Sequence, residues 1–339
     1  MTAGRPAGGR PGTAEFRIGV LGCADIALRR MLPALAAKPG IRVAAVASRD
    51  PAKARSFAVR FGCDAVDDYE SLLARPDIDA VYLPLPTGLH AHWTLRALDA
   101  GKHVLVEKSA TVTLAEAQDV VALARERGLA LMENFAFVHH SQHAVARQRL
   151  RDGEIGELRV LQASFGIPPR PPSDIRYRRE LGGGALLDVG AYPLRAALMY
   201  LGDDVQVIGA VLRSAPDHEV DTAGSVLLAS PDGVTAELSF GFEHGYRSHC
   251  ALWGTRGRLV LGRPFTPSTT DRPDLRLSRQ DHLQQFVLDA DDQFGNTAAA
   301  FAALARGPAG AREEQYARIL RQAALLNTVR DTARVLRPR

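Results

Sequence analysis

Lysine is scarce in this chain: Lys38, Lys53, Lys102 and Lys108 are the only four among 42 basic residues, so arginine carries nearly all the positive charge. Each surviving ammonium is therefore worth locating. Cysteine is scarcer still. Cys23, Cys63 and Cys250 are odd in number and widely spaced, which argues against a disulfide framework or a zinc knuckle and fits reduced thiols. No run approaches the roughly 18 uninterrupted apolar residues of a membrane-spanning helix, so a membrane is not an expected partner. The basic residues behind the net charge of +4 are spread along the chain with no aromatic-interleaved cluster, and nucleic acid is not expected either. The opening MTAGRPAGGRPGTAE lacks an apolar signal segment. Residues 1–15 read as a disordered tail without a secretory signal, and a cytoplasmic location is expected.

What is present is a large apolar share, 46% of 339 residues, enough for two cores. From Phe16 onward, the apolar runs FRIGVLG, IRVAAVAS, DAVYLPLP, HVLVEK and LALMEN alternate with helical patterns. That alternation implies right-handed crossovers and a parallel sheet covered on both faces, hence a doubly wound α/β domain over 16–135. After Leu158 the texture changes. LRVLQASFGI, VQVIGAVLR, GSVLLAS, VTAELSFGFE, SHCALWGT, GRLVLG, LRLSR and LQQFVLD follow one another across short turns such as PDG and TRG. Their apolar-polar alternation predicts a largely antiparallel sheet with one packed face in a second, α+β domain over 136–339, closed by helices near 293–306 and 311–334.

The first strand runs into GCADIA, where Gly22, Ala24 and Ala27 occupy the small-residue positions of G-x-G-x-x-G/A. The backbone of Gly22, Cys23, Ala24, Asp25 and Ile26 is therefore expected to approach a pyrophosphate at a helix N-terminus. Ala24 departs from the usual second glycine. At the end of the second strand, Ser48, Arg49 and Lys53 stand where an NAD enzyme keeps a carboxylate for the ribose, which favours the 2′-phosphate of NADP(H). Asp50 keeps the NAD alternative open. In YLPLPTGLH, Leu83, Pro84, Leu85 and His90 are expected cofactor contacts, and HVLVEKS places Glu107 and Lys108 at the carboxyl edge of the sheet, where such folds bind ligands. His139 and His143 lie one helical turn apart, but no third ligand is evident and no metal is expected.

GGGALLDVGAYPL enters an apolar helix through Gly182 to Gly184, and Asp188 and Tyr192, four apart, share one helix face. Together GVLGCADIA, LPLPTGLHAHW, AGKHVLVEKS and GGGALLDVGAYPL resemble, in order and spacing, the Gfo/Idh/MocA oxidoreductases across nearly the whole chain. The GCADIA turn and the DVGAYPLRAA helix are most similar to its sugar-nucleotide 3-ketoreductases of deoxysugar biosynthesis. The resemblance implies a Rossmann domain followed by an open-faced sheet domain that binds substrate and forms a homo-oligomer, a dimer or tetramer. It matches Lys108 to the lysine of the family's E-K-P motif, Asp188 to its aspartate, and Arg176 to an arginine near nicotinamide and substrate. Tyr192 replaces the histidine of many members. Ser109 replaces the proline, and its hydroxyl could reach the substrate.

The chemistry so implied is reduction of a keto carbon by NADPH, with Lys108, Asp188, Tyr192 and Arg176 around the substrate. Lys108 would stabilise the growing oxyanion, and the proton would come from Tyr192, its phenol made a readier acid by the adjacent ammonium, or from Lys108 itself. Asp188 would orient Lys108 or relay a proton. Arg176 would suit a diphosphate, whereas Arg178 and Arg179 read as surface residues. Loss of the Tyr192 hydroxyl is expected to lower turnover by at least about 10²-fold. The leading expectation is the NADPH-dependent reduction of C3 in a dTDP-linked keto-deoxyhexose. A dehydrogenase of free sugars or cyclic diols and a non-catalytic NADP sensor are the alternatives.

Overall fold

The computed structural model describes residues 15–214 and 218–337, so the expected tail, apart from Glu15, lies outside the described residues. Strands β1 (Phe16–Leu21), β2 (Ile41–Ala47), β3 (Asp64–Val66), β4 (Ala80–Leu83), β5 (His103–Glu107) and β6 (Leu131–Asn134) form one parallel sheet in the order β3-β2-β1-β4-β5-β6. Chain order reverses between β1 and β4, so a crevice opens beyond their carboxyl ends. The crossovers carry α1 (Leu32–Ala37), α2 (Pro51–Phe61), α3 (Tyr69–Leu73), α4 (His90–Asp99) and α5 (Leu114–Arg127). Local signals set their ends: Asp50 caps α2 ahead of Pro51, and Thr113 with Glu116 forms a capping box on α5. Strand β3 was not expected, since three largely exposed residues carry no readable period.

Beyond α6 (Ser141–Arg151) come β7 (Leu158–Gly166), α7 (Ala191–Leu201), β8 (Gln206–Arg213), β9 (Ala223–Ala229), β10 (Thr235–Gly241), β11 (Arg247–Gly254), β12 (Arg258–Leu261), β13 (Asp274–Arg279) and β14 (His282–Val287). Then follow α8 (Gln293–Arg306), α9 (Ala309–Thr332) and β15 (Arg334–Leu336). The second sheet runs β14-β13-β12-β11-β7-β10-β9-β8-β15 and is antiparallel except where β7 meets β10 and β8 meets β15. Along β10, Ala236, Leu238 and Phe240 turn inward to a core shared with Leu194 and Ala197 of α7, while Glu237 and Ser239 face outward. Eight of the nine strands are those the alternation predicts.

The packing departs from a second unit over 136–339 at its last two helices. Phe301 of α8 sits edge-on to Phe16 of β1, ring centroids 5.9 Å apart, inside the core of Ile18, Val20 and Tyr82. From α9, the Tyr316 hydroxyl donates to the Ala124 carbonyl of α5 at 3.2 Å, and Ile319 joins the core under α5. Farther along, Gln322 Nε2 donates to the Ala191 carbonyl at 3.2 Å and Arg330 to that of Val112 at 2.7 Å. Helix α9 thus fastens both sheets together. Its apolar residues bear no mark of which core they serve, so a boundary drawn along the sequence could not follow them.

Candidate active site

At the end of β1 the backbone turns at Gly22, φ +118°, whose N–H donates to the Ala47 carbonyl of β2 at 2.9 Å. Cys23 and Ala24, both half-buried, lead into a wide π turn (Ala27–Met31) that continues as α1, with Ile26 half-buried and Asp25 paired to Arg29 on the exposed flank. Burial pushes the Cys23 thiol up to about 11, so it stands there as a neutral group. Ser48 is buried, and its hydroxyl accepts the Asp50 N–H at 3.1 Å. The Asp50 carboxylate accepts from Ala52 N at 3.0 Å and Lys53 N at 3.3 Å. One carboxylate oxygen thus caps α2, while the side chain itself stays exposed. Arg49 and Lys53 remain exposed beside it.

Strand β5 carries Glu107 and Lys108 to the mouth of the crevice. Glu107 Oε1 accepts from the Tyr82 hydroxyl at 2.7 Å and from Asn134 Nδ2 at 2.6 Å, while burial raises its proton affinity. Lys108 Nζ donates to the Asp188 carbonyl at 3.0 Å and to the Asp188 carboxylate. The other carboxylate oxygen accepts from Arg176 Nε at 2.6 Å, and Arg176 Nη1 reaches Asp174 at 3.1 Å. Burial works against the charges of Lys108, Asp188 and Arg176. It would strip the Lys108 ammonium, but Asp188 outweighs it and holds Lys108 above the ordinary lysine range. It would likewise lift Asp188, but Lys108 and Arg176 hold that carboxyl down at about 2. At that value Asp188 is a charge anchor and a poor proton relay. Two donors of Arg176 are spent on Asp188 and Asp174, so the free fork expected for a diphosphate is already partly engaged.

Residues Leu186–Gly190 form a second wide π turn ahead of α7, a feature often found at functional sites. Its carbonyls accept bonds from the Lys108 loop: besides Lys108 on Asp188, the buried Ser109 hydroxyl donates to the Leu187 carbonyl at 2.9 Å. The hydroxyl expected to meet substrate is thus a clasp between the two halves of the site. The preceding glycines make close protein contacts. A Cβ on Gly182 would stand 2.6 Å from the Gly88 nitrogen, and one on Gly184 2.5 Å from Asp221 Oδ1.

Tyr192, on the first turn of α7, lies with its ring centroid 5.3 Å from Lys108 Nζ. Phe165 packs against the ring at 4.8 Å and Phe135 at 5.8 Å, both near perpendicular. No described residue hydrogen-bonds its hydroxyl. Burial pushes the phenol up to about 12 despite the pull of Lys108, which corrects the expectation of a readier acid: desolvation of the phenolate outweighs one neighbouring ammonium that Asp188 already neutralises.

Of the other expected contacts, Leu83 ends β4, and Pro84 and Leu85 follow it, the Leu85 side chain lying against the Gly22 turn. His90 is buried beneath them, its two ring nitrogens each 2.7 Å from a carbonyl oxygen, of Ser109 and of Leu85. Burial lowers its pKa to about 4 while both carbonyl contacts favour the protonated ring, since a neutral imidazole could donate to only one of them; in either state it braces the two loops. His143 is held between the Pro264 carbonyl and the Tyr200 hydroxyl, each at 2.8 Å. Two acidic residues escaped the sequence reading. Glu133 accepts the Ala110 N–H at 2.8 Å, and burial pushes its carboxyl up to about 7. Asp221 accepts the Leu186 N–H at 2.6 Å. A signal existed for Glu133, an acid inside LALMEN at the carboxyl edge, where Val106 pairs with it and Glu107 with Asn134.

Comparison with known proteins agrees with this architecture. Residues 16–135 match a family model described as an oxidoreductase family with an NAD-binding Rossmann fold, and residues 143–260 match the GFO/IDH/MocA C-terminal domain. A dTDP-3,4-didehydro-2,6-dideoxy-alpha-D-glucose 3-reductase from Streptomyces antibioticus is 53% identical over 95% of this chain and 98% of its own. One from Actinomadura kijaniata is 51% identical, covering 94% and 96%. The crystal structure of KijD10, a 3-ketoreductase from Actinomadura kijaniata in complex with NADP and TDP-benzene, superimposes with a TM-score of 0.93 at 50% identity, covering 96% of this chain and all of that one. The chain belongs to the Gfo/Idh/MocA oxidoreductase family.

Proposed function

We propose that this chain reduces the C3 keto group of a dTDP-linked keto-deoxyhexose with NADPH. The observation that carries the reading is the meeting of Lys108, Asp188 and Tyr192 at the crevice between the two sheets. Relatives sharing half of the sequence act on such sugars. Solved forms of the Actinomadura kijaniata enzyme include replacements of one lysine and one tyrosine separated by the same interval as Lys108 and Tyr192.

The residues present fit NADP(H). The Gly22 turn offers backbone at a helix start, and Arg49 and Lys53 lie exposed on either side of Asp50, two cations that suit a 2′-phosphate. Leu83, Pro84, Leu85 and Glu107 line the same edge. When bound, the cofactor supplies a hydride to the keto carbon. Lys108, kept cationic by Asp188, stabilises the negative charge that grows on the oxygen. The Tyr192 hydroxyl, which no described residue hydrogen-bonds, would supply the second donor from beside the Lys108 ammonium. With both donors less acidic than usual, preorganised charge carries more of the acceleration than proton transfer.

We further assign the sheet domain to substrate binding and to a homo-oligomer, dimer or tetramer. Ile208, Leu227 and Trp253 stand exposed on the second sheet and suit a second copy. Free thiols at Cys23, Cys63 and Cys250 suit the cytoplasm. The test mixes protein with NADPH and a dTDP-linked 3-keto sugar, or with NADP+ and free sugars or cyclic diols, and follows the reduced cofactor. Loss of NADPH with the nucleotide-linked ketone and no turnover of the unlinked alcohols is expected. Formation of NADPH from the unlinked alcohols without reduction of the linked ketone, or no change in either direction, overturns the assignment in favour of a free-sugar dehydrogenase or a sensor.

A further inference from the structure

A helix start leaves several backbone N–H groups without partners, and the residue just upstream usually supplies an acceptor side chain. The turn that presents Asp188 has none to offer. Three glycines and Ala185 precede it, and Ala185 makes no side-chain cap. Its acceptors come from the segment leading into β9. Asp221 Oδ2 accepts the Leu186 N–H at 2.6 Å, and the Asp221 carbonyl accepts the Ala185 N–H at 2.8 Å. The approach is so close that residue 184 has no space for a side chain: a Cβ there would stand 2.5 Å from Asp221 Oδ1, and its φ is +119°. Asp188 follows two residues after the capped amide.

We infer that Asp221 is a positioning residue for the reductase site: as a cap lent from 35 residues away, its carboxylate fixes the phase and height of the turn that aims Asp188 and Tyr192 at Lys108. The cap comes from the β8–β9 connection and so ties the turn to the nine-stranded sheet. Burial pushes the Asp221 carboxyl up to about 6, against the backbone bonds it accepts and the charge of Arg330 of α9. Such a cost is tolerated mostly where geometry matters to function. The inference rests on the reductase reading for its catalytic consequence, while the placement of the turn does not.

The test compares Asp221→Ala with Asp221→Asn in the full chain. Asparagine keeps an oxygen for the Leu186 N–H; alanine does not. Alanine is expected to lower kcat by about 10²-fold, the cost of misplacing reacting groups by around 1 Å, with NADPH affinity measured by fluorescence at the parental level. Asparagine is expected to recover most of that rate. Hydrogen exchange over residues 184–192, read without cofactor or substrate, should speed up in the alanine variant and stay parental with asparagine. A folded alanine variant with parental kcat, loss of NADPH affinity in step with kcat, or unchanged exchange overturns the inference. If alanine prevents folding, Asp221→Glu replaces it: a longer side chain of the same charge should be slower than asparagine, and the reverse order overturns the inference. Exchange behaving as expected in a protein whose parent leaves dTDP-linked ketones untouched would fault the substrate reading alone.

Discussion

The two halves of the site are positioned by different means. Glu107 and Lys108 stand at the end of β5, a strand with neighbours on both sides, so their placement follows from the register of β4, β5 and β6. Asp188 and Tyr192 stand on a helix whose start is gripped by Asp221 and by the Ser109 hydroxyl, two contacts from distant parts of the chain. A strand end is fixed by its sheet. A helix entered through glycines is fixed by whatever reaches it, and its side chains should be the easier pair to misplace.

The largest test of that contrast is Asp188→Asn. The change leaves Lys108 and Arg176 facing a neutral amide, and breaking such a pair costs up to about 3–5 kcal/mol when fully buried, with the lower end expected here because the cleft is partly open. Denaturant unfolding measures the loss. The pH profile should move as well. Burial alone lowers the Lys108 pKa, and without Asp188 it prevails, so the ammonium is lost at lower pH and the alkaline fall in kcat shifts toward neutrality. An unshifted limb would mean that β5 alone maintains the charge.

Next come the two donors. Lys108→Ala, which removes the charge that carries most of the acceleration, should lose at least the roughly 10²-fold of an oxyanion donor; Tyr192→Phe should lose less than the roughly 10²-fold typical of a general acid, and the double variant should be the slowest. This revises the sequence expectation for Tyr192, and the reason is burial, which drives its phenol to about 12. Stopped-flow measurement of the hydride step separates these outcomes. A single tyrosine variant as slow as the double would restore Tyr192 as the sole donor.

These results bear on what could be read before the structure. The parallel sheet, the cofactor edge and the trio of Lys108, Asp188 and Tyr192 were legible because short-range patterns encode them: apolar runs, a glycine turn, an EK pair at a strand end and a four-residue spacing. What the sequence hid depends on contacts between distant segments. Ser109 looked available to substrate until its partner proved to be Leu187, and Asp221 carries no motif because it caps a helix 35 residues upstream. Even the acidity of Tyr192 turned on the surrounding ring of Phe135 and Phe165, which no local pattern announces.

Ser109→Ala is a smaller test of the same contrast. It removes one buried hydrogen bond, a loss of about 0.5–1.5 kcal/mol. If the clasp aligns the halves, kcat should fall while the KM for NADPH holds. A drop in stability with parental kcat would reduce it to a packing contact.

The smallest effect is expected at Glu133, which supports the Lys108 loop through the Ala110 N–H from within the first sheet. Burial raises its carboxyl from 4.5 to about 7, so the folded chain holds this proton more tightly than the unfolded chain does. Stability should therefore decline as pH rises through that window, with no penalty below it and the whole penalty above. Glu133→Gln keeps an acceptor for Ala110 but does not titrate. Urea unfolding across the window should show the variant gaining on the parent as pH rises. A constant difference would mean that Arg195 of α7, the nearest opposing charge, keeps Glu133 ionised throughout. The Lys108 loop would then be held electrostatically by the helix that carries Tyr192, and the independence of the two halves would be lost.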